Sequence, residues 1–332
     1  MQKIRVFING FGRIGRLAFK LMVDDNSFEI VGINDIYPFA QMKQLLEYDS
    51  VYGNYHESLE LKEDILKVKN QKIKLHNISD PNHLVLDGVD ILLECSGLYL
   101  SKKSNQSFID RGAKRVIIST PPKDDMPRFI MDINHKKYNN EKIVSNSSCS
   151  ANAIIPILSI IDKSLDISTA SFSMFHSYTA YQKLLDVKHY SKDIRRSRSA
   201  TQNIEPLSSS AANEAIYFFP KLKDNIYAKS IRVPIKATTL YDLTFTINKN
   251  TNLKELQSIL ETGAKDYDKI SITNKKLVSS DFIENVNGAI IDLSLTQIID
   301  GNLIKVFAWQ DNEYGYAYQL VRLTKEIGKC LI

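Results

Sequence analysis

The sequence predicts an α/β chain of two domains: a parallel-sheet domain, then an α+β domain with a mostly antiparallel sheet. Three observations predict this. At 332 residues the chain exceeds a single core of ordinary size. Its first half alternates short β-rich runs with helical stretches, the pattern of a parallel sheet covered by helices. After about residue 150 the β-runs lengthen and fewer helices separate them, as in an antiparallel or mixed sheet. The expected boundaries are 1–148 with 314–332 for the first domain and 149–313 for the second.

In chain order, residues 4–8 read as a strand, 14–23 as an amphipathic helix and 29–33 as a second strand. Residues 89–94 and 115–119 read as buried strands, with a polar helix over 102–111 between them. A helix-forming run covers 153–161, and an apolar run over 171–175 ends at His176. Residues 178–206 are polar, basic and without periodicity, and long ordered loops of this kind usually carry function. Longer strands follow at 241–247 and 303–309, and the chain closes with a helix over 317–327, expected to be capped by Gly328.

Composition excludes several classes. Hydrophobic residues make up 43% and charged residues 24%, the balance of a soluble globular protein. The longest apolar run, 153–161, contains Pro156 and Ser159 and falls far short of a bilayer span. The first residues lack a signal peptide's apolar core, so a cytoplasmic protein with no membrane contact is expected. Three cysteines, Cys95, Cys149 and Cys330, suggest reduced thiols rather than a disulfide framework. The formal charge of +5 suits acidic metabolites; no segment interleaves dense Lys/Arg with aromatics, so no specific nucleic acid is expected. No metal site is expected either.

Asn9-Gly10-Phe11-Gly12-Arg13-Ile14-Gly15 follows a strand and opens a helix. Gly10 permits the turn, Gly12 lets backbone approach a pyrophosphate, and Gly15 allows close helix–strand packing. Asp35 lies 20 residues after Gly15, where a carboxylate can accept from ribose hydroxyls and repel a 2′-phosphate. This is a Rossmann reading. The bland alternative is a glycine turn in an ordinary βαβ unit with Asp35 as a cap.

Ser147-Ser148-Cys149-Ser150 precedes a helix-forming run, so Cys149 falls at a helix N-terminus. The dipole there is expected to lower the thiol pKa, and the free N–H groups could hold an oxyanion. A buried, merely structural cysteine is the alternative. Cys95 and Cys330 read as structural. His176 is a base candidate at a strand end, yet a lone histidine is more often structural, and pairing with Cys149 does not follow from sequence separation. His56, His76, His83, His135 and His189 have no better claim by pattern. The residues alone therefore lead to a nucleotide-binding oxidoreductase with a candidate thiol.

At this point the sequence resembles the glyceraldehyde-3-phosphate dehydrogenase family, nearly end to end. The opening motif Ile8-Asn9-Gly10-Phe11-Gly12-Arg13-Ile14-Gly15-Arg16 is followed by Asn34-Asp35, Glu94-Cys95-Ser96-Gly97 and Val116-Ile117-Ile118-Ser119. Next come Ser145-Asn146-Ser147-Ser148-Cys149, His176-Ser177-Tyr178-Thr179, Arg195-Arg196 and Arg232-Val233-Pro234, then Ser279-Ser280-Asp281-Phe282 and Asp311-Asn312-Glu313-Tyr314-Gly315-Tyr316. The resemblance implies an NAD-dependent, phosphorylating oxidation of glyceraldehyde 3-phosphate to 1,3-bisphosphoglycerate, through a thioester on Cys149 with His176 as base. It implies cofactor contacts from Gly10, Phe11, Gly12, Arg13, Ile14, Asn34, Asp35, Ser96, Gly97, Ser119, Asn312 and Tyr316. Thr179 and Arg232 would hold the substrate's own phosphate, and Ser148, Ser150 and Ser209 the attacking inorganic phosphate. Ser210 and Arg195 join the substrate-binding set, although Arg195, like Asp281, also reads as loop-fixing. A homotetramer is implied, with the loop over 178–206 completing a neighbour's cofactor site.

Departures accompany the match. The family's two threonines after the cysteine read Ser150-Ala151 here, its Thr-Gly pair reads Ser209-Ser210, and its arginine near residue 79 is Ser79. Lys188 stands where many NAD-specific members have proline, which opens NADP as a secondary cofactor; Asp35 argues for NAD. Erythrose-4-phosphate dehydrogenase is the nearest alternative, with Phe218-Phe219-Pro220 in that direction. Aspartate-semialdehyde dehydrogenase is disfavoured by Asp311-Asn312-Glu313, and a purely non-catalytic role by the intact thiol, base and glycine motif.

Overall fold

Strand β1 (Ile4–Asn9) sends Ile4, Val6 and Ile8 to one face and Phe7 to the other, the period of a strand buried on both sides. The computed structural model describes residues 2–331 and divides into two compact units, Met1–Ser147 with Ala317–Ile332, and Ser148–Tyr316. In the first unit β1 is followed by α1 (Arg13–Val23), β2 (Phe28–Asn34), α2 (Phe39–Glu47) and the short pair β3 (Tyr48–Asp49) and β4 (Gly53–Asn54). Then come β5 (Leu59–Lys62), β6 (Ile65–Val68), β7 (Gln71–His76), β8 (Ile91–Glu94), α3 (Lys102–Asp110), β9 (Arg115–Ile118) and β10 (Ile143–Ser145).

Eight strands form one sheet in the order β10-β9-β8-β1-β2-β7-β6-β5. Pairing is parallel from β10 to β7 and antiparallel at the β7-β6-β5 edge. From β1 the chain runs to β2 on one side and later returns to β8 on the other. That reversal makes the carboxyl ends of β1 and β8 the switch point where α/β sheets bind ligands.

The second unit begins with α4 (Cys149–Leu165), β11 (Ile167–Ser177), β12 (Glu205–Ser208), α5 (Ala211–Phe218), β13 (Ile226–Val233) and β14 (Thr239–Ile247). It continues with α6 (Leu253–Ala264), β15 (Ile270–Thr273), β16 (Ala289–Ile299) and β17 (Leu303–Gln310). Its sheet has the order β12-β13-β11-β14-β17-β16-β15. The β11–β13 and β15–β16 pairs are parallel and the rest antiparallel, so the sheet is mixed with an antiparallel majority.

Helix α4 runs through Pro156, which removes one backbone donor and costs about 3 kcal/mol in a helix interior. Burial outweighs that loss. Ile154, Ile155, Ile157, Leu158, Ile160 and Ile161 are all buried, each contributing about 1.5–3 kcal/mol.

The last helix, α7, spans Tyr314–Lys329, earlier in start and later in end than its hydrophobic period predicts. Gly328 is therefore not its cap. It lies inside the helix because a Cβ there would meet Ile4 Cδ1 at 2.4 Å, so glycine lets α7 approach β1. The 178–206 segment holds a 3-10 turn at Ile194–Ser197 and is pinned by Asp186, which accepts from Arg198 Nε at 2.8 Å and Ser199 N at 2.9 Å.

Candidate active site

The first unit places a glycine turn at its switch point. Gly10 has φ +92°, and a Cβ there would meet Ser96 N at 2.3 Å, so no other residue fits. A Cβ at Gly15 would meet Gly10 O at 2.1 Å, which is how the helix closes onto the turn. Gly12 differs. Space around it is open, and as the N-cap of α1 it makes no side-chain capping bond. An open cradle at a helix N-terminus fits the pyrophosphate of a dinucleotide. Asp35, just past β2, accepts from Phe11 N at 2.5 Å and from Ile36 N at 2.7 Å, which ties the turn to the next strand.

Behind the turn, polar side chains join three strand ends. Asn34 Nδ2 donates to Asn9 Oδ1 at 2.8 Å and to Ile78 O at 2.9 Å, and Asn9 Nδ2 donates to Glu94 Oε2. Glu94 Oε1 accepts from Ser96 N at 2.8 Å and from the Ser96 hydroxyl. Burial pushes the Glu94 carboxyl up to about 7, against the pull of these donors. Gly97 follows at φ +72°, and Ser119 Oγ donates to Glu94 O at 3.1 Å. The Arg13 guanidinium donates to Asp49 at 2.8 Å and lies over the Tyr52 ring. Ile14 packs on the core.

In the second unit Ser147 has φ +61°, and Ser148 caps α4 by accepting from Ala151 N at 3.0 Å. Cys149 is the first helical residue. His176 is the penultimate residue of β11, only 4% exposed, with Nε2 3.8 Å from Cys149 Sγ. Sheet register sets its other neighbours. Glu205 pairs with Arg232, Arg232 with His176 and His176 with Thr239, so their side chains form one row across β12, β13, β11 and β14. Arg232 Nη1 donates to Ser177 O at 2.8 Å and lies against His176 Nδ1.

This geometry corrects the expected thiol. Burial pushes Cys149 up, with Arg232 and Ser150 only partly drawing it back. Burial and then Arg232 hold His176 well below its ordinary value, opposed by the Ser177 carbonyl. Removal from water thus disfavours the charged form of both groups and opposes the pull of the helix terminus on the thiol.

Asn312 is buried; its Oδ1 accepts from Ser177 Oγ at 3.0 Å and Thr239 Oγ1 at 3.4 Å, which fixes the amide with Nδ2 as the remaining donor. Tyr316 is buried in the first turn of α7. Ser150 is buried next to Cys149, while Thr179 Oγ1 donates to Gln182 at 2.9 Å. Ser209 Oγ accepts from Ala211 N at 3.1 Å and Ser210 is the N-cap of α5, so both sit at a helix start. Arg195 is paired within its own loop. Asp193 accepts from its guanidinium Nε at 2.8 Å and Nη2 at 2.9 Å, a contact that fits the loop-fixing reading. Sequence reasoning passed over Asn9 and Glu94, whose sign was a polar residue ending each buried strand. It also passed over Glu205, an acid inside a β-pattern and only 2% exposed.

Two family descriptions match the chain. "Glyceraldehyde 3-phosphate dehydrogenase, NAD binding domain" matches residues 4–102, and "Glyceraldehyde 3-phosphate dehydrogenase, C-terminal domain" matches residues 148–312. The chain is 36% identical to glyceraldehyde-3-phosphate dehydrogenase of Helicobacter pylori strain J99, over 97% of this chain and 98% of that one. It is 34% identical to the Streptomyces coelicolor enzyme of that name over 99% of each, and 32% identical to glyceraldehyde-3-phosphate dehydrogenase 2 of Bacillus subtilis strain 168, over 98% and 97%.

Proposed function

The chain belongs to the glyceraldehyde-3-phosphate dehydrogenase family and is an NAD-dependent enzyme of that activity, and from this premise we propose which residues perform it. The observation that carries the assignment is Cys149 Sγ at the start of α4, 3.8 Å from His176 Nε2. His176 takes the thiol proton as the sulfur attacks the aldehyde carbon of glyceraldehyde 3-phosphate. The resulting thiohemiacetal oxygen is held by the backbone N–H groups at the start of α4. When bound, NAD supplies the acceptor for the hydride whose loss leaves a thioester on Cys149. Having returned the thiol proton to that oxygen, His176 takes it up again as the hydride leaves, and inorganic phosphate then cleaves the thioester to 1,3-bisphosphoglycerate and releases the Cys149 thiolate.

Gly10, Gly12 and the N-terminus of α1 would hold the pyrophosphate, Asp35 the ribose, and Asn312 Nδ2 the carboxamide. Arg232 with Thr179 would take the substrate's phosphate, and Ser148, Ser150 and the Ser209-Ser210 helix start the inorganic phosphate. Cofactor and catalytic domains over 1–148 with 314–332 and 149–313 belong to the same reading. Exposed apolar side chains on the 178–206 loop, Leu184, Leu185, Tyr190 and Ile194 among them, support a homotetramer that covers them. A cytoplasmic location fits the free cysteines, and no helix among the described residues is long and apolar enough to cross a membrane. The relatives' names do not favour erythrose 4-phosphate. Steady-state rates for the two sugars, with NAD or NADP and with or without phosphate, test all of this. Turnover should require phosphate and be fastest with glyceraldehyde 3-phosphate and NAD; faster oxidation of erythrose 4-phosphate would reverse the assignment.

A further inference from the structure

Glu205 is a buried carboxylate that the mechanism above does not use. Both of its oxygens lack a hydrogen-bond partner in the protein, and so does the buried Nε of Arg232, its direct cross-strand neighbour. A buried carboxylate without a donor beside a buried guanidinium Nε without an acceptor is an unusual state for an acid and a base in one row. Arg232 instead directs Nη1 to Ser177 O and His176 Nδ1.

That placement matters for the base. A guanidinium has only donors, so while Arg232 donates to Nδ1 the neutral imidazole carries its proton on Nε2. In that tautomer Nε2 cannot accept the proton of Cys149. The other tautomer has Nδ1–H donating to Ser177 O, 2.8 Å away, and leaves the Nε2 lone pair facing the sulfur.

We propose that Glu205 is a positioning residue: its carboxylate draws the Arg232 guanidinium away from His176 Nδ1, so that the imidazole adopts the tautomer able to accept the Cys149 proton. The inference rests on the reading of Cys149 and His176 given above. The charges facing Glu205 are consistent with it. Burial lifts its carboxyl, Arg196, Arg232 and His189 pull it down, and Asp193 adds a smaller upward push. Around the thiol the other ionisable groups are His176, Arg232 and Tyr241. Arg232 touches Nδ1, whereas Sγ lies beyond Nε2, so its repulsion of an imidazolium exceeds its attraction for the thiolate.

The test is alkylation of Cys149 by iodoacetamide across pH, together with kcat and KM, in the full-length protein. Glu205→Gln should slow alkylation near pH 7 about tenfold and raise its apparent pKa by about one unit. In the same variant kcat should fall by a similar factor without a rise in KM for glyceraldehyde 3-phosphate. Glu205→Asp, which keeps the charge, should restore most of the rate. Glu205→Leu should fold with an unchanged or higher Tm, since the carboxylate makes no hydrogen bond to lose, and should show the same slow alkylation. A parent-like alkylation profile in both the Gln and Leu variants would overturn the proposal. So would a rise in KM at unchanged kcat. His176→Asn separates the two readings. If it slows alkylation while Glu205→Gln does not, only the role of Glu205 fails; if it too has no effect, the Cys149–His176 assignment fails.

Discussion

The nucleotide end and the thiol end handle buried polar groups in opposite ways. At the first, Asn34, Asn9, Glu94 and Ser96 form a chain of mutual hydrogen bonds across three strand ends. At the second, the row Glu205–Arg232–His176 leaves Glu205 and Arg232 Nε unpaired at its outer end. A network bonded to itself is rigid before any ligand arrives, which suits a site that only binds. Unpaired charges cost stability but leave a guanidinium that an anion or a neighbouring carboxylate can move, which suits a site where protons move. The lesson is that fixed geometry and adjustable electrostatics are assigned to different units of one chain.

The largest expected effect tests the independence of the two ends. Cys149→Ala should lower dehydrogenase turnover by at least about four orders of magnitude, because no other group supplies the covalent step. NAD affinity, measured by fluorescence titration, should stay within about twofold of the parent. A large loss of NAD affinity would show that the nucleotide end is not self-contained.

His176→Asn comes next. Turnover should fall by roughly two to four orders of magnitude, the usual contribution of a positioned proton acceptor. Alkylation of Cys149 at neutral pH should slow as well, and unchanged alkylation would return His176 to a structural role.

Asp35→Ala acts at the other end. Loss of the carboxylate should reduce the preference for NAD over NADP by about ten- to a hundredfold in kcat/KM, since a like charge no longer opposes a 2′-phosphate. Lys188→Pro should shift the preference the other way by less, because an exposed ammonium contributes under about 1 kcal/mol. Neither substitution should change the alkylation rate of Cys149; a change would mean that the ends communicate.

The smallest effect is one of stability. Glu94 titrates near 7 when folded, above the ordinary 4.5. Between those values the folded protein holds a proton that the unfolded chain has released. Stability therefore declines as pH rises through that window and is level above it, a change on the order of 3 kcal/mol. Glu94→Gln should remove this component, seen as a smaller difference in Tm between pH 5 and pH 7.5. An identical pH dependence in parent and variant would assign the titration to another group.

Legibility followed the range of the interaction. The glycines at 10, 12 and 15 and the capping serine before Cys149 act through backbone geometry within a few residues, so their pattern is visible in the chain itself. Strand periodicity, likewise local, separated a parallel first half from a mixed second half. The pairing of Cys149 with His176 is different: 27 residues apart, it depends on where α4 and β11 lie in the second unit, and only the resemblance pointed to it. Gly328 misled for a related reason, since a glycine facing Ile4 acquires its role from a neighbour.

Sequence alone thus determined the class of chemistry: a nucleotide turn, a candidate thiol and two differently built sheets. Tertiary structure decided the direction in which burial shifts the thiol and the imidazole, and the row. Desolvation raises the Cys149 thiol against its neighbouring donors, and the register of β12, β13 and β11 brought Glu205, Arg232 and His176 side by side. Burial and cross-strand register are properties of the assembled sheet, and no local pattern of residues encodes them.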